Sequence, residues 1–153
     1  IDGQFVMTPA PGTDHQTMSI GLAMLLHETV HGTDLKVLTA PFDVLLGPHV
    51  VEPDVLVARK AHFTSRDLPR APLLAVEILS PSTTHLDRGR KRDIYAEAGI
   101  PHYWIVDPDG PAITVFELTD GTYTETAHAS GAQTLTVEHP VALTLTPAAL
   151  LED

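Results

Sequence analysis

The sequence predicts an α/β (α+β) fold in which a mixed β-sheet is flanked by helices. The chain has 153 residues and is 43% hydrophobic, a size at which folding buries roughly two-thirds of the unfolded surface. Short apolar runs separated by Gly and Pro are typical of strands, and longer segments with capping residues are typical of helices. We therefore expect residues 1–153 to form a single domain.

Two helices are predicted, each ended by a glycine. The first has Thr13 or Asp14 as its candidate N-cap, runs to about His31 and is stopped by Gly32; the second covers about residues 86–97 and ends at Gly99. Strands are predicted at the apolar runs, which cover residues 2–8, 35–39, 42–46, 55–58, 73–79, 102–106, 112–118 and 122–127.

The connections between these runs give a first topology. The three runs between residues 35 and 58 suggest a meander, and residues 60–72 read as a polar loop. An Asp-Gly pair at 120–121 indicates a hairpin between the last two runs. After residue 130 we expect one or two edge strands and a short helical end.

The composition excludes several classes of protein. The absence of cysteine excludes a disulfide framework, a thiolate metal site and a thiol nucleophile, and it fits a reducing compartment, so we expect a cytoplasmic protein. No apolar stretch reaches the roughly 20 residues that span a bilayer, and we expect no membrane partner. Because the sequence begins at Ile1 rather than at a methionine, upstream residues are expected.

The charge is unevenly distributed along the chain. The net charge of −11 argues against nucleic acid, because most non-specific affinity for a polyanion comes from Lys and Arg contacts to phosphate. However, eight of the nine basic residues fall within residues 59–92, which carry a net charge of +5, whereas the remainder carries −16. One interpretation is a basic surface around a functional site, and the other is ordinary solvated charge.

Glu77 is the most informative residue, because it lies inside the apolar run 73–79. A buried carboxylate costs several kcal/mol unless it is paired or binds a cation. Asp54 opens another apolar run, and Mg²⁺ prefers oxygen ligands and needs only one or two protein carboxylates. Asp54 and Glu77 are therefore candidate Mg²⁺ ligands, with Mn²⁺ as the alternative cation, although an Asp after Pro53 is also common in turns.

The predicted second helix carries a candidate catalytic lysine. Asp87, Lys91 and Tyr95 are spaced four residues apart and share one helix face. A lysine near the metal offsets negative charge that develops at phosphorus and orients the attacking water. The competing interpretation is a surface ion pair between Asp87 and Lys91, worth a few tenths of a kcal/mol.

These residues together resemble the bacterial Uma-two family of restriction-type endonucleases, within the PD-(D/E)xK nuclease superfamily. The resemblance covers nearly the whole chain and is carried by Pro53-Asp54, Glu77, Ser80-Pro81-Ser82-Thr83, Asp87, Lys91, Tyr95 and the run 99–108. It implies a restriction-endonuclease-like core, Mg²⁺ held by Asp54 and Glu77, and hydrolysis of DNA phosphodiester bonds.

The chain departs from the superfamily pattern at one position. The superfamily lysine stands two residues after the glutamate, where this chain has Leu79. The resemblance implies that Lys91 reaches the same space from the following helix. His15 and Asp43 also match family positions, and we expect His15 to hold the first helix to the sheet.

The basic residues beside Lys91 are the candidate substrate contacts. The phosphate would be approached through the basic window, with its nearest members in the second helix: Arg88, Arg90 and Arg92.

The segment His27-Glu28-Thr29-Val30-His31 satisfies HExxH, the pattern of zinc metalloproteases. Gly32 ends the helix at once, and His27 and His31 extend the stripe of Ile20 and Met24. A helix face that packs or contacts a partner subunit is therefore preferred to a zinc site.

Two function classes remain. The first is a Mg²⁺-dependent endonuclease, expected to act as a homodimer because two sites related by a twofold axis suit a duplex. The second is a catalytically inactive nuclease fold that binds nucleic acid or protein, which Leu79 and the acidic remainder favour.

Overall fold

The computed structural model describes residues 12–80 and 87–152, and within the second range the side chains from residue 89 onward. The strand predicted over residues 2–8 lies outside the described residues. In the part described, no helix is long and apolar enough to cross a bilayer.

A long helix, α1 (Thr13–Val30), confirms the first helix prediction. Its buried residues follow one stripe at four-residue spacing, which makes that face apolar: Met18, Leu22, Leu26 and Val30. The chain leaves the helix at His31 and turns at Gly32, whose φ of 80° suits glycine.

The main sheet has six strands in the order β1-β4-β6-β7-β8-β9. Its strands are β1 (Leu35–Thr39), β4 (Val55–Arg59), β6 (Leu74–Ile78), β7 (His102–Asp107), β8 (Ala112–Thr119) and β9 (Thr122–Ser130). β6 and β7 pair in parallel and the other neighbours are antiparallel, so the sheet is mixed, as predicted. β8 and β9 form the predicted hairpin across Asp120-Gly121.

The predicted meander between residues 35 and 58 is wrong. β1 pairs with β4, whereas β2 (Asp43–Leu46) joins a separate three-stranded sheet between β3 (His49–Val51) and β5 (Asp67–Leu68). Pro41 and Pro53 interrupt the run and lack the N–H that a continuous ladder needs. The loop predicted over residues 60–72 also contains structure, namely β5 and a 3₁₀ turn at Lys60–His62.

The second helix begins as a π-helical turn, Asp87–Lys91, and continues as α2 (Arg92–Ala98). It ends at Gly99, which has a φ of 80° and whose N–H donates to Ala96. The C-terminal part follows its prediction, with the strand pair β10 (Leu135–Val137) and β11 (Leu143–Leu145) and a 3₁₀ turn at Pro147–Leu151.

Two apolar cores cover the two faces of the main sheet. The first lies between the sheet and α1 and includes Trp104 and Val76. The second lies under α2 and the three-stranded sheet and includes Tyr95 and Tyr103. The sheet is thus buried on both faces, which explains why β6 reads as a continuous apolar run.

Candidate active site

Asp54 and Glu77 meet at one end of the main sheet. β4 and β6 are antiparallel, with Val55 opposite Val76, so continuing this register by one residue sets Asp54 opposite Glu77. Directly opposite residues of antiparallel strands are the closest cross-strand neighbours. The register therefore places the positions of the two predicted metal ligands opposite each other on neighbouring strands.

Glu77 is 1% exposed and is the only buried charged side chain in residues 12–80 and 89–152. Lys91 places its Nζ 3.3 Å from Glu77 Oε2. The Tyr95 hydroxyl donates a short hydrogen bond to Glu77 Oε1. Each oxygen of the carboxylate is therefore contacted by a polar group from the second helix, which offsets the cost of its burial.

Asp54 is fixed by two other elements. Its Oδ2 accepts a hydrogen bond of 2.7 Å from the backbone N–H of Ile78, the residue that follows Glu77. Its Oδ1 lies 3.3 Å from His15 Nε2 on the first turns of α1. His15 thus connects α1 to the end of the sheet, as its predicted role requires.

The donor set has the chemistry that a hard divalent cation needs. An ionised carboxylate offers about four lone-pair positions, so it can accept from protein groups and bind a cation at the same time. In the described part of the chain, no group of three or more His, Asp or Glu side chains is arranged to hold a metal. Two carboxylates fit Mg²⁺ or Mn²⁺, which keep several waters and use substrate phosphate oxygens.

Leu79 stands where the superfamily has its lysine, and it belongs to the core. Its side chain is 5% exposed, and its backbone N–H donates to the carbonyl of Val106 over 2.8 Å. The ammonium group that lies beside Glu77 belongs to Lys91. The geometry therefore agrees with a lysine attached to the helix in place of the strand.

The arginines of the second helix have different surroundings. Arg92 is held against the β8–β9 hairpin, since its Nη2 donates to the Tyr123 carbonyl over 3.1 Å and its guanidinium lies 4.7 Å above the Phe116 ring. Burial raises the pKa of the Tyr123 hydroxyl above its usual range, and the Arg92 charge opposes that rise. Arg90 is half-buried, and the side chains of Asp87 and Arg88 lie outside the described residues.

Part of the basic window lies away from Asp54. Arg59 ends β4 and pairs with Leu35, whereas Asp54 precedes the same strand. Five strand residues separate the two ends by about 16 Å. Lys60 follows Arg59 directly, so these two cations lie at the far end of β4, whereas Lys91 contacts Glu77.

Asp43 lies at the exposed start of β2, and its side chain contacts Glu52. A side-chain hydrogen bond in which protonated Glu52 donates to Asp43, burial and the Asp43 charge raise the pKa of Glu52. Sequence reasoning missed Glu52, although an acid two residues before Asp54 was a signal that could have indicated it.

The HExxH segment lies at the C-terminal end of α1, where His31 is the C-cap and the chain leaves the helix. In the described part of the chain, neither histidine belongs to a group of three or more His, Asp or Glu side chains that could hold a metal. His27, Glu28 and His31 are all exposed.

Comparisons with known proteins agree with this architecture. A family profile described as Uma2, "Putative restriction endonuclease", matches residues 1–149. The crystal structure of a putative nuclease belonging to DUF820 from Anabaena variabilis superposes with a TM-score of 0.80 at 19% identity, over 99% of this chain and 89% of that chain. At this identity the likeness establishes a shared fold. No curated protein matches the chain.

Proposed function

The chain belongs to the Uma2 family, described as "Putative restriction endonuclease", and from that premise we propose that it is a divalent-metal-dependent endonuclease that hydrolyses DNA phosphodiester bonds. The observation that carries the proposal is the buried Glu77 carboxylate, which lies opposite Asp54 and beside Lys91.

In this proposal Asp54 and Glu77 hold Mg²⁺ or Mn²⁺. When bound, the cation supplies positive charge at the oxygens of the scissile phosphate. The protein fixes both ligands before substrate arrives, because the Ile78 N–H orients Asp54 and the Tyr95 hydroxyl orients Glu77. Such preorganised donors need no rearrangement during the reaction.

Lys91 is proposed to act on the substrate directly. Its ammonium lies 3.3 Å from Glu77 and retains 19% of its side-chain exposure, so one side of the group remains accessible. A lysine ammonium has three donors, and this one contacts Glu77. In this proposal Lys91 also orients the attacking water and stabilises charge on the phosphate.

DNA is the proposed substrate because the family is described as "Putative restriction endonuclease". Arg88 and Arg90 precede Lys91 on the same helix and are proposed to contact the phosphates that flank the cleaved bond. The remaining surface is acidic, so binding should depend on these few cations and should weaken steeply with salt.

The test is cleavage of supercoiled plasmid in Mg²⁺ or Mn²⁺, with calorimetric titration of each cation. We expect Glu77→Gln to lose at least about 100-fold in rate, as removal of a strong transition-state interaction does, and to lose metal affinity. Glu97→Gln, an exposed acid on α2, is the matched control and should retain both.

Two outcomes count against the proposal. Equal cleavage by wild type and Glu77→Gln would remove Glu77 from the chemistry. A folded wild-type protein that cuts neither DNA nor RNA with either cation would favour the inactive nuclease fold, which the burial of Leu79 at the usual lysine position already motivates.

A further inference from the structure

The start of α2 has little local support of its own. The helix has seven residues, and isolated helices shorter than about 12 residues are marginal in water. A π-helical turn, a form that occurs mostly in single turns near functional sites, precedes it. Lys91, at the N-cap of α2, makes no side-chain capping hydrogen bond. The position of Lys91 over Glu77 therefore depends on contacts with the rest of the protein.

Arg92 supplies such a contact to the β8–β9 hairpin. Its Nη2 donates to the Tyr123 carbonyl over 3.1 Å, and its guanidinium lies 4.7 Å from the centre of the Phe116 ring. Both partners are fixed, because Phe116 is buried and the Tyr123 hydroxyl donates to the Ile100 carbonyl over 2.7 Å. We call Arg92, the Phe116 ring and the Tyr123 carbonyl the hairpin anchor.

Lys91 and Arg92 are consecutive residues, yet their side chains contact different strands. Lys91 reaches Glu77 on β6. Arg92 reaches β8 and β9, the strands of Phe116 and Tyr123. Strands β6 to β9 are consecutive in the sheet, and neighbouring strands lie about 4.8 Å apart, so the two contacts are about 10–14 Å apart across the sheet. Two attachments this far apart fix where the start of α2 lies on the sheet.

We propose that Arg92 is a positioning residue: the hairpin anchor holds α2 so that the Lys91 ammonium lies beside Glu77. Sequence reasoning made Arg92 a candidate phosphate contact, whereas in the structure its guanidinium lies against a ring and a carbonyl of the protein itself. The effect of Arg92 on cleavage rests on the proposed function, but its effect on the placement of Lys91 does not. A displacement of about 1 Å at a reacting centre can lower a rate about 100-fold.

The placement of Lys91 can be measured without a cleavage assay, because the chain has three lysines. Lys36 and Lys60 are exposed, whereas Lys91 is 19% exposed. In a pulse of an amine-acylating reagent followed by peptide mass spectrometry, Lys91 should react more slowly than both. Arg92→Met should raise the rate at Lys91 about 10-fold relative to these references, since the loss of one hydrogen bond from a charged group changes a local opening equilibrium by about that factor.

Two further variants separate the hairpin anchor from a simple loss of charge. Arg66→Met removes one positive charge at an exposed position and should leave the labelling of Lys91 unchanged. Phe116→Leu keeps every charge and removes the ring face beside the guanidinium, so it should raise the labelling of Lys91 as Arg92→Met does. Circular dichroism establishes that each variant is folded, and Phe116→Leu tests the anchor even if Arg92→Met does not fold.

Kinetics and DNA binding distinguish a positioning residue from a substrate contact. Arg92→Met should lower kcat at least about 10-fold with little change in KM, because the transition-state contact made by Lys91 is misplaced. The slope of log Kd for DNA against log salt concentration should stay at its wild-type value. Arg90→Met, at a proposed phosphate contact, should reduce the magnitude of that slope by about 1.

Unchanged labelling of Lys91 in Arg92→Met, or an equal increase in Arg66→Met, would overturn the proposal. A reduced salt slope in Arg92→Met would also overturn it, because Arg92 would then contact the phosphates. A wild-type protein that cuts no DNA would count against the proposed function and would leave the labelling result standing, so the two failures are distinguishable.

Discussion

The Asp54 carboxylate accepts a hydrogen bond of 2.7 Å from the backbone N–H of Ile78. This bond joins the start of β4 to the end of β6 immediately after Glu77. A candidate metal ligand is therefore also a structural acceptor, and its two roles need to be separated experimentally.

Asparagine and alanine at position 54 separate these roles. We expect Asp54→Ala to lower the free energy of unfolding by about 1–3 kcal/mol, because the buried Ile78 N–H loses its acceptor. Asp54→Asn keeps an acceptor oxygen and should lose much less stability, yet it should lose metal affinity as fully as the alanine variant. Urea denaturation and calorimetric metal titration measure the two effects; equal stability losses would show that the bond contributes little.

Lys91→Met tests the cation beside Glu77. The variant removes the Lys91 ammonium from the buried Glu77 carboxylate, and removal of one partner of a buried pair costs up to about 3–5 kcal/mol. We expect less here, since Lys91 is 19% exposed and Tyr95 still donates to Glu77. Cleavage should fall at least about 100-fold. Lys60→Met, at the far end of β4, is the control and should preserve cleavage; a comparable loss in both variants would contradict a specific role for Lys91.

Tyr95→Phe tests the hydroxyl that orients Glu77. The ring contact with Tyr103, at 5.5 Å between centroids, is kept, and stability should fall by about 1–2 kcal/mol. Metal affinity should fall about 10–100-fold, as it does when a group that orients a ligand is removed. Tyr123→Phe loses a similar buried bond, to the Ile100 carbonyl over 2.7 Å, and should lose stability without losing metal affinity.

The elements of the fold could be predicted from sequence where local signals were strong. α1, β1 and the β8–β9 hairpin follow from periodicity, a strand-like run and an Asp-Gly turn. The pairing of β2 with β5 could not be predicted, because β5 has two residues and strand partners are chosen by tertiary packing.

The candidate site was predictable in part for the same reason. A carboxylate inside an apolar run is visible in sequence, so Glu77 stands out. The distance from Lys91 to Glu77 depends on how the second helix returns over β6, and the placement of Asp54 opposite Glu77 depends on the antiparallel pairing of β4 with β6. Neither is encoded in local spacing.

Glu52→Gln tests the interaction of Glu52 with Asp43, the first residue of β2. The hydrogen bond that protonated Glu52 donates to Asp43, together with burial and the Asp43 charge, raises the pKa of Glu52 above 4.5, so the folded protein holds this proton more tightly than the unfolded chain does. The resulting stability is present below pH 4.5 and is lost as the pH rises through the folded pKa. Thermal midpoints should therefore be higher for Glu52→Gln than for wild type at neutral pH, and the gain should disappear in acid. The rise in thermal midpoint for Glu52→Gln must exceed the rise for Glu125→Gln, a control that changes the net charge equally at an exposed position on β9.

His102 gives the opposite dependence on pH at the start of β7. Burial lowers the pKa of the His102 imidazole below 6.5. The Glu117 carboxylate, whose Oε1 lies 3.8 Å from His102 Nδ1, opposes this shift, and the charge of His139 adds to it. The unfolded chain then binds more protons than the folded protein, so stability is retained above about pH 6.5 and falls on acidification through the folded pKa.

Two variants, one at His102 and one at Glu117, should change the pH dependence of the thermal midpoint in opposite directions. His102→Gln should flatten the fall of the thermal midpoint between about pH 7 and pH 5, because the titrating group is removed. Glu117→Gln should steepen it, because the carboxylate that partly offsets the burial of His102 is lost. Thermal unfolding followed by circular dichroism across this range measures both slopes, and a wild-type midpoint that rises on acidification would contradict the assignment.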